Sequence, residues 1–231
     1  MAGKKNIVFV LTSHSQLGNT GKKTGWYLPE VAHPYNILAP HYNITWASPL
    51  GGETPLDPSS AEAFAKDEEC IKFLNDPVAQ KGVKETVKVE DILSRANEFD
   101  AVFFPGGHGP MFDLFTFVPS LQLAGKVYEN NGVVAAVCHG PAAIVNIKLS
   151  NGESLVKGKR VTGFSNSEED AVQLSSIMPF LLENALKSAG AKYEKAAKDW
   201  DAHVVVDGRL ITGQNPNSGA PLGEKLREIL G

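Results

Sequence analysis

Residues 133–142 read VVAAVCHGPA, and the reading of this stretch decides the reading of the fold. Val133 to Val137 form an apolar run with no polar alternation. A run of this kind suits a central strand of a parallel sheet that helices cover on both faces. It ends at Cys138, and His139, Gly140 and Pro141 follow at once, a sequence able to open a helix. In an open parallel α/β sheet, ligands sit beyond the carboxyl ends of the strands. Cys138 therefore stands at a strand-to-helix corner where a nucleophile would be presented. Unpaired backbone N–H groups at a helix start favour a thiolate, so the Cys138 thiol is expected to titrate below its ordinary value of about 8.5. The competing reading is a small apolar residue filling core space. Cys70, inside the charged stretch AKDEECIKFLND, lacks such a corner and is read as a packing residue.

Outward from this strand, short apolar runs recur: NIVFVL, NITWAS, AVFFPGG, RVTGF, AHVVVDG and RLITG. Helix-patterned segments lie between them, among them YLPEVAHPYNIL, VEDILSRANEF, PSLQLAGKVYENNG, SSIMPFLLENALKSAG and the final GAPLGEKLREILG. Strands alternating with helices predict right-handed βαβ units and a mostly parallel sheet. Asp207-Gly208, between two apolar runs, predicts a tight hairpin that breaks the pattern. Residues 49–81 hold six prolines and glycines that interrupt regular structure, and are expected to form a cap over one end of the sheet. No repeat or linker divides the chain, so residues 1–231 are read as one domain.

The 231 residues are 42% hydrophobic and 21% charged, with a net charge of −4. No basic stripe is available for phosphates, which argues against a nucleic-acid partner. The N-terminal apolar run is too short for a signal-peptide core or a membrane span. Two cysteines provide no disulfide framework and suggest a reducing, cytoplasmic setting. The six histidines, at 14, 33, 41, 108, 139 and 203, show no ligand-spaced pair, so no metal and no cofactor are expected.

A second corner lies in VFFPGGHGPMFD, where Gly106, Gly107 and Gly109 follow another central strand. Bare glycine backbone permits close approach of a ligand and can stabilise an oxyanion. A phosphate loop would need a following Lys-Ser/Thr, which is missing. His108 is either a site residue or a packing one. Glu30, near the start of the first helix, would relay protons if burial raised its pKa; otherwise it is a solvated helix residue. The run Glu168, Glu169, Asp170 offers a carboxylate to orient His139, and equally suits a helix N-terminus.

Taken together, KTGWYLPEVAHPYN (23–36), GGHGPMFD (106–113), NGVVAAVCHGPA (131–142), KRVTGFSNSEE (159–169) and DGRLITGQNPNS (207–218) resemble the DJ-one/PfpI superfamily, relatives of the class I glutamine amidotransferase domains. The branch resembled holds the heat-shock-protein-31-like chaperones and the glutathione-independent glyoxalases (glyoxalase III, or D-lactate dehydratase). The resemblance implies a flavodoxin-like three-layer αβα sandwich, usually a homodimer. It implies Cys138, His139 and Glu30 as the active-site set, with Glu169 as the acidic third member and Glu168 or Asp170 as substitutes for it. Gly107 and the N–H after Cys138 would form the oxyanion site, with His108 and His139 beside the substrate. The implied activity is conversion of methylglyoxal and other 2-oxoaldehydes to 2-hydroxy acids, with stress-chaperone or deglycase activity and unfolded client proteins as further expectations. A holdase, or a cysteine amidase or peptidase on the same corner, are the alternatives.

Overall fold

The computed structural model describes residues 3–231. Its strands are β1 (Asn6–Val10), β2 (Asn43–Ser48), β3 (Val87–Lys88), β4 (Ala101–Phe104), β5 (Val133–Val137), β6 (Arg160–Val161), β7 (Lys192–Tyr193), β8 (Val204–Asp207) and β9 (Leu210–Gly213). Its α-helices are α1 (Leu28–Leu38), α2 (Pro58–Ala63), α3 (Glu68–Asn75), α4 (Pro77–Lys84), α5 (Val89–Ile92), α6 (Val118–Glu129), α7 (Ala142–Val145), α8 (Asn166–Ala171), α9 (Leu182–Ser188) and α10 (Gly219–Leu230).

Seven strands form the central sheet in the order β3-β2-β1-β4-β5-β9-β8. All its pairings are parallel except β8 with β9. β1, β4 and β5 are almost wholly buried, which explains their unalternating sequences. From β1 the chain crosses through α1 to β2, and from β4 through α6 to β5 in the opposite direction. Right-handed crossovers then place α1 and α6 on opposite faces. α10 packs against α1, and α6 against α5, completing a mostly parallel α/β sandwich of the flavodoxin-like kind. The strand order reverses between β1 and β4, so the crevice for a ligand opens above the carboxyl ends of the neighbouring strands.

Asp207 pairs with Leu210 across the hairpin, and Gly208 takes φ +62°, as a tight hairpin turn requires. Two expectations shift. RVTGF contributes only Arg160 and Val161 to a strand, and these pair with β7 in a separate two-stranded sheet. The remainder of that segment is tied to the end of β9 instead, where the Thr162 N–H donates to Thr212 Oγ1. The SSIMPFLLENALKSAG helix begins only at Leu182, after Pro179 has removed a backbone donor. Residues 49–81 fold largely into α2, α3 and the start of α4, each entered through an aspartate whose side chain accepts backbone N–H groups: Asp57, Asp67 and Asp76. α3 lies against α1, and α4 against β2.

Candidate active site

Cys138 follows β5 directly and holds φ +59°, the left-handed region that costs a non-glycine residue roughly 1–2 kcal/mol. The corner is clamped from both sides. The Cys138 N–H donates to Gly213 O (3.0 Å), and its carbonyl accepts from the Phe164 N–H (2.9 Å). A sharp turn closes it, with the Gly140 N–H on Val137 O at 2.7 Å. α7 then spans only four residues, and the turns leading into it bond from residue i to i−3.

His139 is 1% exposed. Its Nδ1 lies 3.4 Å from Cys138 Sγ, and its Nε2 lies 2.6 Å from Glu169 Oε2. The carboxylate can only accept, which assigns the proton to Nε2 and turns the Nδ1 lone pair toward the thiol. The second Glu169 oxygen is 2.9 Å from His108 Nε2. Burial pushes the Glu169 carboxyl up, but the His139 and His108 imidazoles outweigh it and hold the group well below the usual carboxylate range. Burial lowers the His139 imidazole against the pull of Glu169, so the ring is neutral at pH 7.

Of the three adjacent acids, Glu169 reaches His139. Glu168 turns the other way and accepts from the Ser165 N–H and Oγ, the Trp200 N–H and Asn215 Nδ2. Asp170 meets Ser175 Oγ. Glu168 is thus half of a capping box, a structural carboxylate in a run where sequence alone could not separate the three.

Glu30, in the first turn of α1, is fully buried on the other side of the sulfur. Its Oε2 accepts the Gly106 N–H at 2.8 Å, its Oε1 is buried with no hydrogen-bond partner among the described residues, and the residue lines the same cavity as Cys138. A Cβ at Gly106 would lie 2.6 Å from Glu30 Oε2 and 2.7 Å from the His139 nitrogen, so the corner closes this tightly only around glycine. Burial raises the Glu30 carboxyl to about 8. Burial, and next the Glu30 charge, push the Cys138 thiol well above its usual range. This corrects the expectation of a thiol lowered by a helix start: α7 is one turn long, while Cys138 is 4% exposed and shares its cavity with the Glu30 carboxyl. Gly107 (φ +89°) lines the same cavity as Cys138. Neither the Gly107 N–H nor the His139 N–H donates to an acceptor among the described residues, which leaves both for a ligand.

Cys138, His139, His108, Glu30 and Gly107 line one cavity of about 70 Å³. Sequence reasoning missed its apolar walls: Tyr27, Phe164, Val172, Trp200 and Pro216. Tyr27 and Pro216 lie inside stretches already singled out, but nothing local marks Trp200, which depends on Glu168 and on Asn217 for its position. Among the described residues, two groups present donor atoms close enough for a metal ion, His108 with His139 and Glu169, and His33 with Asp67 and Cys70.

A parallel α/β sheet with a cysteine at a strained strand-end corner, backed by histidine and a carboxylate, defines the class: α/β proteins with a buried strand-to-helix elbow. Within it, the model of the DJ-1/PfpI family matches residues 69–228, and the chain belongs to that family. The Candida albicans protein named glyoxalase 3 is 33% identical over 231 aligned residues, covering 95% of this chain and 96% of its own. The crystal structure of glyoxalase III from Candida albicans superposes with a TM-score of 0.89 at 31% identity, over 97% of this chain and 96% of the other. The Saccharomyces cerevisiae glutathione-independent glyoxalase HSP31 is 32% identical over 94% of each chain. The Rapid Encystment Protein 24 kDa of Francisella tularensis superposes with a TM-score of 0.92 at 39% identity, over 98% and 99%.

Proposed function

We propose that the protein is a glutathione-independent glyoxalase of the D-lactate dehydratase type. It would convert methylglyoxal and related 2-oxoaldehydes to 2-hydroxy acids, with D-lactate formed from methylglyoxal. The observation that carries this reading is that Cys138, His139 and Glu30 line one cavity, with His139 Nδ1 3.4 Å from the sulfur and the Glu30 carboxyl fully buried. They meet in a cavity sized for a few heavy atoms, in a chain whose relatives bear glyoxalase names.

The chemistry follows from where the protons start. As Cys138 Sγ bonds to the aldehyde carbon C1, its proton passes to His139 Nδ1, and Glu169 stabilises the resulting imidazolium. Glu30 gives its proton to the developing alkoxide, which the Gly107 and His139 N–H groups flank, and a hemithioacetal forms. Glu30 is now a carboxylate beside C1. It removes the C1 proton to give an enediolate, the C1 hydroxyl proton shifts to the C2 oxygen, and Glu30 returns its proton to C2, leaving a 2-hydroxy thioester. His139 returns its proton to the sulfur and Glu30 takes one from the attacking water as the C1–S bond breaks, which releases the hydroxy acid and restores the thiol, the neutral imidazole and the protonated carboxyl. No hydride acceptor is required, because oxidation at C1 balances reduction at C2. The two buried, unpaired cysteines suit a reducing compartment, and a cytoplasmic location belongs to the same proposal.

Purified protein incubated with methylglyoxal in thiol-free buffer is expected to accumulate D-lactate. Unchanged methylglyoxal after prolonged incubation contradicts the proposal, and turnover of amide substrates alone would point to the amidase alternative.

A further inference from the structure

A second group of donors meets between α1 and α3, away from Cys138. His33 lies on α1 about one turn beyond Glu30, Asp67 caps α3, and Cys70 sits in the first turn of α3. His33 Nε2 is 3.0 Å from Asp67 Oδ1 and 3.8 Å from Cys70 Sγ, and the three donor atoms all lie within 4.8 Å of one another. Cys70 is fully buried, whereas the His33 and Asp67 side chains are 19% and 29% exposed. The sulfur therefore closes the group from inside, and the imidazole and carboxylate open it to solvent.

Tetrahedral zinc holds sulfur at about 2.3 Å, imidazole nitrogen at about 2.0–2.1 Å and carboxylate oxygen at about 2.0–2.2 Å, which separates neighbouring donors by roughly 3.3–3.6 Å. The observed 3.0 and 3.8 Å bracket that range and the Asp67–Cys70 pair lies within 4.8 Å, so side-chain movements of up to about an ångström would seat an ion. Mixed thiolate, imidazole and carboxylate donors suit zinc or cobalt rather than magnesium or calcium. The two helices are already held in register by Asn36 Nδ2, which donates to Glu69 O (2.9 Å) and Oε2 (2.7 Å), and by Tyr35 on Asp76. Capping of α3 accounts for Asp67, whose Oδ1 accepts the Cys70 N–H at 2.8 Å, but capping does not require a thiol at Nε2 of His33.

We propose that His33, Asp67 and Cys70 form a three-ligand site for a zinc-type divalent cation, with water as the fourth ligand. Binding would displace the thiol proton to solvent and exchange the His33–Asp67 hydrogen bond for two coordinate bonds. It would fasten α3 to the helix that carries Glu30. The inference does not depend on the activity assigned to Cys138.

The test is titration of the full chain with Co²⁺ and with Zn²⁺, reading the sulfur-to-cobalt charge-transfer absorption and the calorimetric stoichiometry. One equivalent and a thiolate band are expected in the native protein and equally in Cys138→Ser. Cys70→Ser should lose the band, and Cys70→Ser, His33→Gln and Asp67→Asn should each weaken binding by more than about tenfold, a loss seen even for supporting residues of metal sites. Asp67→Asn retains a capping side chain, so its loss of binding would not reflect a lost helix. Absence of binding, binding indifferent to Cys70→Ser, or a band that vanishes in Cys138→Ser would each overturn the proposal.

Discussion

Glu30 and Glu169 are both buried carboxyls around the Cys138–His139 pair, yet their surroundings drive them in opposite directions. Glu169 sits between two imidazoles and keeps its charge; Glu30 has one backbone N–H and a thiol for company and keeps its proton. Glu30→Gln preserves the acceptor for Gly106 and removes the titrating proton, so turnover of methylglyoxal is expected to fall about 10²–10⁴-fold with the fold intact. In the native enzyme, kcat/KM should decline as pH rises through about 8, where Glu30 loses the proton it needs at the start. Stability moves with the same group. Its folded value of about 8 lies above the ordinary 4.5, so the stabilisation is complete below pH 4.5 and is lost as pH rises through 8. The loss runs at up to about 1.4 kcal/mol per pH unit. Melting curves at pH 5 and pH 8.5 should show the native protein losing ground to Glu30→Gln; parallel behaviour would contradict a buried, proton-holding carboxyl. At the neighbouring pair, Glu169→Gln should depress kcat with little change in Tm. Glu168→Ala should instead lower stability by about 1–3 kcal/mol, since it strands the donors of Ser165, Trp200 and Asn215.

The elements position these residues by their ends rather than by their length. β5 delivers Cys138, β4 delivers Gly106 and Gly107, and the first turn of α1 delivers Glu30. The segment before β8 delivers Trp200, held at φ +69° with its N–H on Glu168 and its carbonyl on Asn217. Trp200 stands edge-on to Phe164, ring centres 5.7 Å apart, and the two form an apolar wall of the cavity that holds Cys138. That wall is expected to set the size of the group a 2-oxoaldehyde can carry. Trp200→Ala should raise the ratio of kcat/KM for phenylglyoxal over methylglyoxal by about tenfold, the scale of a modest change in pocket volume. An unchanged ratio would mean that the wall does not meet the substrate.

At the scale of the molecule, the parallel order of the sheet, its hairpin edge and the corners at Cys138 and Gly106 were legible because each rests on local chemistry. Unalternating apolar runs mark doubly covered strands, and glycine marks close backbone approach. What could not be read were contacts that join distant segments. The choice of Glu169 over Glu168 depends on the capping box at Ser165 and on Trp200, thirty-two residues from Glu168. The direction of the Cys138 thiol was misjudged because burial outweighed a helix start that proved one turn long. Trp200 and the His33–Asp67–Cys70 group have no signature at all in sequence spacing. Among the described residues no helix is long and apolar enough to cross a membrane. The central claim is that one sulfur and one protonated carboxyl together rearrange a 2-oxoaldehyde without any added thiol. The most direct measurement is D-lactate formation from methylglyoxal in glutathione-free buffer by the native protein, Cys138→Ser and Glu30→Gln, each confirmed folded by its melting curve. Steady turnover by the native chain, none by Cys138→Ser and a fall of at least about 10²-fold in Glu30→Gln is the predicted result; lactate formed at the native rate by either variant would contradict it.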